Sequence, residues 1–231
     1  MKTTKPIRAV LFDLDGTVTD TIPHIVASYE HAFASLGIPS PGEAVILAGI
    51  GLTLDVYVPE VLPNRGADGL TEAFIRHYRA YNEASMSESI AVFVPAWKLL
   101  EALSAHGVPL GIVTSKARRG LGRTLEPFGL EDFFQILISS DDSARHKPDP
   151  EPLRVAWRAL DRRFQELGEP ALEPTELIYI GDAVHDVECA QNFGCPAAVV
   201  EWTRMPREEL AALDPDLWIR DVNDLEGWLT G

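Results

Sequence analysis

Two carboxylates two residues apart, Asp13 and Asp15, follow directly on an apolar run in the segment FDLDGT. A second acidic pair, Asp182 and Asp186, lies in GDAVHD at 181–186. Between the pairs come Thr114-Ser115-Lys116 and His146-Lys147-Pro148-Asp149-Pro150. Close carboxylates repel one another and need a cation to coexist. An all-oxygen set with no His/Cys cluster favours a hard ion, with Mg2+ the leading candidate. Such an ion and Lys147 would neutralise a phosphoryl group. One remaining carboxylate could attack it, and another could move the proton.

Each fragment also has a plainer reading. Asp-Gly is a common turn, Thr114 is a usual helix-cap residue, and a lone lysine is generally a solvated charge. The Pro-Asp-Pro that follows Lys147 instead holds it at a defined place before a helix start.

The elements that must position these groups are short apolar runs. Strands are predicted at 8–13 (RAVLFD), 108–114 (VPLGIVT), 136–139 (ILIS), 177–181 (LIYIG) and 197–201 (AAVVE), and 217–219 is a candidate for a sixth. They are continuous rather than alternating, as in a parallel sheet buried on both faces. Helical spacing lies between them, at Trp97, Leu100 and Leu103 and at Leu153, Trp157, Leu160, Phe164 and Leu167. The alternation predicts an α/β doubly wound parallel sheet. In an open sheet of that kind ligands bind beyond the carboxyl ends of the strands. There Asp13, Asp15, Thr114 and Asp182 would all fall.

Roughly 95 residues separate the first two strands, far more than one crossover helix needs. They carry helical stripes: Ile22, Ile25, Val26, Tyr29, Phe33 and Leu36, then Leu70, Phe74, Tyr78 and Tyr81. Breakers stand at 38–42, 63–66 and 85–89. The expectation is a second, smaller all-helical domain over residues 20–88, with linkers near 19–21 and 87–94 and a core of 1–19 and 89–231. A longer helical layer of one domain is the alternative. The segment 160–176 is long for a loop between helix and strand and is expected to be a surface elaboration.

Acids outnumber bases 35 to 20, a formal charge of −15, and no Lys/Arg run exceeds two. A nucleic-acid partner is therefore not expected, although a small anionic substrate is compatible with a local field of opposite sign. Cys189 and Cys195 are too few for a disulfide framework and are expected as reduced thiols of a cytoplasmic protein. No apolar stretch of 18 residues offers a membrane span.

With DLDGT at 13–17, a strand ending in Thr114, Lys147 in HKPDP and GDAVHD at 181–186, the chain resembles the haloacid dehalogenase superfamily of phosphohydrolases. The motifs occur in family order over nearly the whole chain, and the helical insert resembles that family's four-helix cap. FDLDGTVTDTIPHI and VPAWKLLEAL further resemble phosphoglycolate phosphatases and related small-molecule phosphatases.

The resemblance implies a Mg2+-dependent phosphatase acting on a small phosphorylated metabolite, with a phosphoglycolate-like phosphomonoester favoured. It implies Asp13 as nucleophile, forming an aspartyl-phosphate, and Asp15 as the acid and base. It implies a metal held by Asp13, the backbone carbonyl of Asp15 and Asp182, with Asp186 in or beside the shell. Thr114 would hydrogen-bond the phosphoryl group, backbone N–H groups around Leu14 and Ser115 would add donors, and Lys147 would offset charge.

The alternatives are a β-phosphoglucomutase-like enzyme and an inactive binding module. Against the mutase, residues 20–88 contain no lysine, and Ile25 stands where the mutases carry histidine, with His24 one place early. Against the inactive module, Asp13, Asp15 and Asp182 are all present. Specificity is expected in the insert, at 49–52 (GIGL) and among Arg65, Arg76 and Arg79.

Overall fold

A computed structural model describes residues 5–66, 69–86 and 89–229 of the chain. Its strands are β1 (Ala9–Phe12), β2 (Thr19–Asp20), β3 (Ala91–Val92), β4 (Leu110–Val113), β5 (Ile136–Ile138), β6 (Leu177–Gly181), β7 (Ala197–Val200) and β8 (Leu217–Ile219). Its helices are α1 (Ile22–Ser35), α2 (Glu43–Ala48), α3 (Leu54–Val61), α4 (Leu70–Ser85), α5 (Val94–Ala105), α6 (Arg118–Leu125), α7 (Glu151–Glu166), α8 (Val184–Phe193), α9 (Arg207–Ala211) and α10 (Asn223–Leu229).

Six strands form one parallel sheet in the order β5-β4-β1-β6-β7-β8. The chain enters at β1, builds outward on one side through β4 and β5, then crosses to β6 on the other. β1 is thus the point where strand order reverses, which opens a crevice at the carboxyl edge. Register finishes the alignment. Phe12 stands opposite Ile112 and Ile180, so the residues just beyond β1, β4 and β6 emerge side by side.

Side chains alternate across the sheet. Val10, Phe12, Ile112, Ile178 and Ile180 pack on Leu99, Leu100 and Leu103 of α5 and Leu121 and Leu125 of α6. Ala9, Leu11, Leu177 and Tyr179 face Leu153, Ala156 and Leu160 of α7 and Val187, Cys189 and Ala190 of α8. Both faces are covered, which explains the continuous apolar runs.

Helices α1–α4 gather around their own apolar cluster of Ile22, Tyr29, Phe33, Ile46, Val58 and Phe74. The chain leaves and re-enters the sheet through β2 and β3, which pair antiparallel with Thr19 opposite Val92 and Asp20 opposite Ala91. Residues 87 and 88, part of an expected breaker and linker, lie outside the described residues.

The segment 160–176 lies mostly at the surface, but it is anchored at one point. The apolar stripe carries α7 on to Glu166, and the chain then folds back so that Leu172 is buried among β6 and α7 residues. Trp157 Nε1 donates to the Leu172 carbonyl at 2.7 Å, and the Leu172 N–H donates to Asp161 at 2.8 Å. Helical spacing at Phe164 and Leu167 already pointed past residue 160.

Candidate active site

Asp13 is the residue after β1, and its N–H donates to the Ile180 carbonyl at 2.8 Å, continuing the ladder. The carboxylate is therefore aimed by sheet geometry, and it is buried. Gly16 turns the chain at once, with φ +87°. A Cβ there would lie 2.3 Å from Asp182 Oδ2, so the turn serves close approach as well as conformation. Thr17 Oγ1 then donates to Asp182 Oδ1 at 3.3 Å. Oxygens of Asp13, Asp182 and Asp186 all lie within 4.8 Å of one another, and all three residues are buried.

Lys147 reaches this cluster from the loop before α7, with its side chain 1% exposed. Its Nζ lies 2.8 Å from Asp13 Oδ1, 2.7 Å from Asp186 Oδ1 and 3.1 Å from the Tyr179 hydroxyl. An ammonium has three N–H donors, and here each has a protein acceptor. Burial opposes its charge, but Asp13 and Asp186 outweigh that and raise its pKa above the usual lysine range.

The Tyr179 hydroxyl also lies 2.8 Å from the Val113 carbonyl and 3.1 Å from Asp186 Oδ1. Tyr179 escaped the reading of the sequence because it sits in the middle of LIYIG, where an aromatic ring is ordinary core. The only signal was a phenolic tip, which needs a partner when buried. Asp186 Oδ2 accepts the N–H groups of Asp182 and Ala183 at 3.2 and 3.1 Å. Both of its oxygens therefore already hold donors.

Asp15 stands apart from the buried trio. Its Oδ1 accepts from Thr21 Oγ1 at 2.6 Å and lies 2.9 Å from Lys116 Nζ. Its carboxylate is not among the three that cluster, so a metal role for Asp15 rests on its backbone carbonyl. Thr114 Oγ1 accepts the Lys116 N–H at 3.2 Å, which leaves its own O–H free to donate. Ser115 is placed differently: its hydroxyl donates to the Gly51 carbonyl at 2.5 Å. That contact ties β4 to the helical layer, and the side chain has no further proton to offer a phosphoryl oxygen.

Asp13, Asp15, Thr114, Ser115 and Lys116 line a cavity of about 300 Å³, whose far wall includes Ile25, Tyr29, Gly49, Ile50, Leu52 and Tyr78. That volume is at the small end for ligand sites. Residues 49–52 reach the wall as expected. Arg79 also lines it, whereas Arg76 faces a separate shallow groove, and the side chain of Arg65 is outside the described residues. His24 is occupied elsewhere: it is buried, and its Nε2–H donates to the Asn82 carbonyl at 3.0 Å, joining α1 to α4.

A family model for haloacid dehalogenase-like hydrolases matches residues 10–200. This chain belongs to the haloacid dehalogenase-like hydrolase family. It is 34% identical to a pyrophosphatase, PpaX, of Bacillus velezensis, over 96% of each chain. It is 30% identical to a phosphoglycolate phosphatase of Yersinia pestis, over 96% of this chain and 92% of the other. Its fold is similar to that of a haloacid dehalogenase-like hydrolase from Streptococcus pneumoniae, with TM-score 0.76, 25% identity and coverage of 97% and 99%. In this haloacid dehalogenase-like hydrolase, the four motifs meet at one edge of one sheet.

The charge pattern fits a bound cation. Burial pushes the Asp13 carboxyl up to about 7; Lys147 opposes the rise, and Asp186 and Asp15 add to it. Burial, then Asp186 and Asp13, push Asp182 well above the carboxylate range. Two acids that resist ionising side by side, with oxygen ligands only, are a suitable donor set for Mg2+.

Proposed function

We propose that this hydrolase is a Mg2+-dependent phosphatase that hydrolyses a small phosphomonoester through an aspartyl-phosphate on Asp13. The placement of Asp13 carries the reading. It is a carboxylate fixed at the cavity floor by Lys147, with Asp15 beside it and Asp182 behind it. A phosphoglycolate-like substrate is favoured, because a relative of that name aligns over nearly the whole chain. The pyrophosphatase relative widens the class to small phosphoanhydrides.

In this mechanism an Asp13 oxygen attacks phosphorus and the bond to the leaving oxygen breaks, while Asp15 gives that oxygen a proton. Water then attacks the phosphorus of the aspartyl-phosphate and gives its proton to Asp15. The P–O bond to Asp13 breaks, which restores its carboxylate and frees phosphate. Thr114 donates to a phosphoryl oxygen, and Lys147 holds Asp13 in line and offsets charge, as phosphoryl transfer requires. Asp13, Asp182 and the Asp15 carbonyl would hold Mg2+, which supplies positive charge to the phosphoryl group. Asp186, with both oxygens occupied, would stand beside that shell.

Residues 20–88 act as a cap on a core of 1–19 and 89–231. They exclude water in the first step and admit it in the second. The paired β2 and β3 segments support such a hinge. The two cysteines, both unbonded, favour a cytoplasmic setting. No helix among the described residues is long and apolar enough to cross a membrane.

Phosphate release from a panel of phosphorylated metabolites tests the reading. Chelation is expected to abolish turnover and Mg2+ to restore it. Asp13→Asn is expected to fall to background, and Asp15→Ala to lose roughly 10²–10⁴-fold. Full activity in excess chelator, or substantial turnover by folded Asp13→Asn, would overturn it.

A further inference from the structure

Lys116 follows Thr114 and Ser115 just beyond β4, and its ammonium lies 2.9 Å from the Asp15 carboxylate. We propose that Lys116 reads an anionic group on the leaving side of the substrate, a carboxylate or a second phosphoryl group. The inference rests on the phosphatase reading, because it places the leaving oxygen at Asp15.

Three observations support it. First, the ammonium is largely shielded from solvent, with the side chains of Lys116 and Asp15 at 12% and 13% exposure. Its only partner among the described residues is one carboxylate oxygen. Lys147 has three acceptors for three N–H groups, whereas Lys116 keeps donors to spare.

Second, the position is built. The Lys116 N–H donates to Thr114 Oγ1, and its carbonyl accepts the Ser140 N–H at 3.0 Å. The side-chain stem lies across α6 at Gly120, where a Cβ would come within 2.8 Å of Lys116 Cγ and 3.1 Å of Cδ. Glycine inside a helix is unfavourable, and here it gives the lysine its channel.

Third, the geometry matches the chemistry. Lys116 and Asp15 line the same cavity, so a substrate whose leaving oxygen meets Asp15 comes within reach of the ammonium 2.9 Å from that carboxylate. The cavity-lining cations of α6, Arg119 and Arg123, are each 3.1 Å from Glu83, whereas Lys116 lies at Asp15.

Calorimetric binding of non-hydrolysable phosphonates separates this inference from the reaction itself. Phosphonoacetate carries a carboxylate that methylphosphonate lacks. The wild-type protein with Mg2+ is expected to prefer phosphonoacetate. Lys116→Met, which keeps the stem and removes the charge, is expected to cut that preference roughly 10–100-fold, the worth of a charge-assisted hydrogen bond. Gly120→Ala leaves every charged group in place and is expected to cut it by less, in the same direction. No preference in the wild type, a preference unchanged in Lys116→Met, or equal loss on both ligands would overturn the proposal. A protein that turns over no phosphoester but shows the expected preference would instead overturn the phosphatase reading alone.

Discussion

Lys147 and Lys116 lie at opposite ends of one constellation, and the protein treats them differently. Lys147 is sealed, with three acceptors taken from the residue after β1, from β6 and from α8. Lys116 is partly open to the cavity and holds a single acid. The first arrangement suits a group that must be in place before any substrate arrives, since fixed charges need no reorganisation during the reaction. The second suits a group that exchanges one anion for another as substrate enters. Rigid chemistry on the sheet edge and adaptable recognition at its margin is the division this contrast suggests.

Stability measurements offer the sharpest way to break that comparison. Lys147→Met leaves Asp13 and Asp186 buried without their cation. It is expected to cost about 3–5 kcal/mol, as for other buried pairs that lose one partner. Lys116→Met should cost less, because Asp15 keeps the bond from the Thr21 hydroxyl and borders the cavity. Urea unfolding of both variants checks this, and equal losses would mean that Lys116 is as structural as Lys147.

Tyr179→Phe tests the sealed end more gently. It removes one acceptor from Lys147 and should lower stability by about 1 kcal/mol. Turnover should fall modestly, with KM nearly unchanged, because the hydroxyl orders Lys147 and does not line the cavity. A large rise in KM would place the hydroxyl at the substrate instead.

The smallest effect is expected in the helical layer. Burial holds the His24 pKa below its usual value, so the folded protein keeps the ring neutral while the unfolded chain takes up a proton below about pH 6.5. The stability it contributes is present above that pH and is lost as pH falls. His24→Gln keeps a donor for the Asn82 carbonyl and removes the titration. Its Tm should fall less between pH 7.5 and 5.5 than that of the wild type, and an identical fall would remove His24 as the cause.

What the sequence determined by itself was the chemistry and its scaffold. Asp13, Asp15, Thr114 and Asp182 announced themselves because each interrupts or ends an apolar run, and burial on both faces writes a parallel strand as an unbroken run. Lys147 stood out because the prolines after it hold it before α7. Local order along the chain was enough for that much.

The tertiary structure alone decided direction and partnership. It joined Tyr179 to Lys147 across 32 residues, turned the Ser115 hydroxyl to Gly51, and brought the Lys116 ammonium to Asp15. It also buried Leu172 where a surface loop was expected. These outcomes depend on contacts between residues distant in sequence. No periodicity or spacing records them, since a side chain's partner is set by which strands the sheet brings together and by the room that residues such as Gly120 leave beside it.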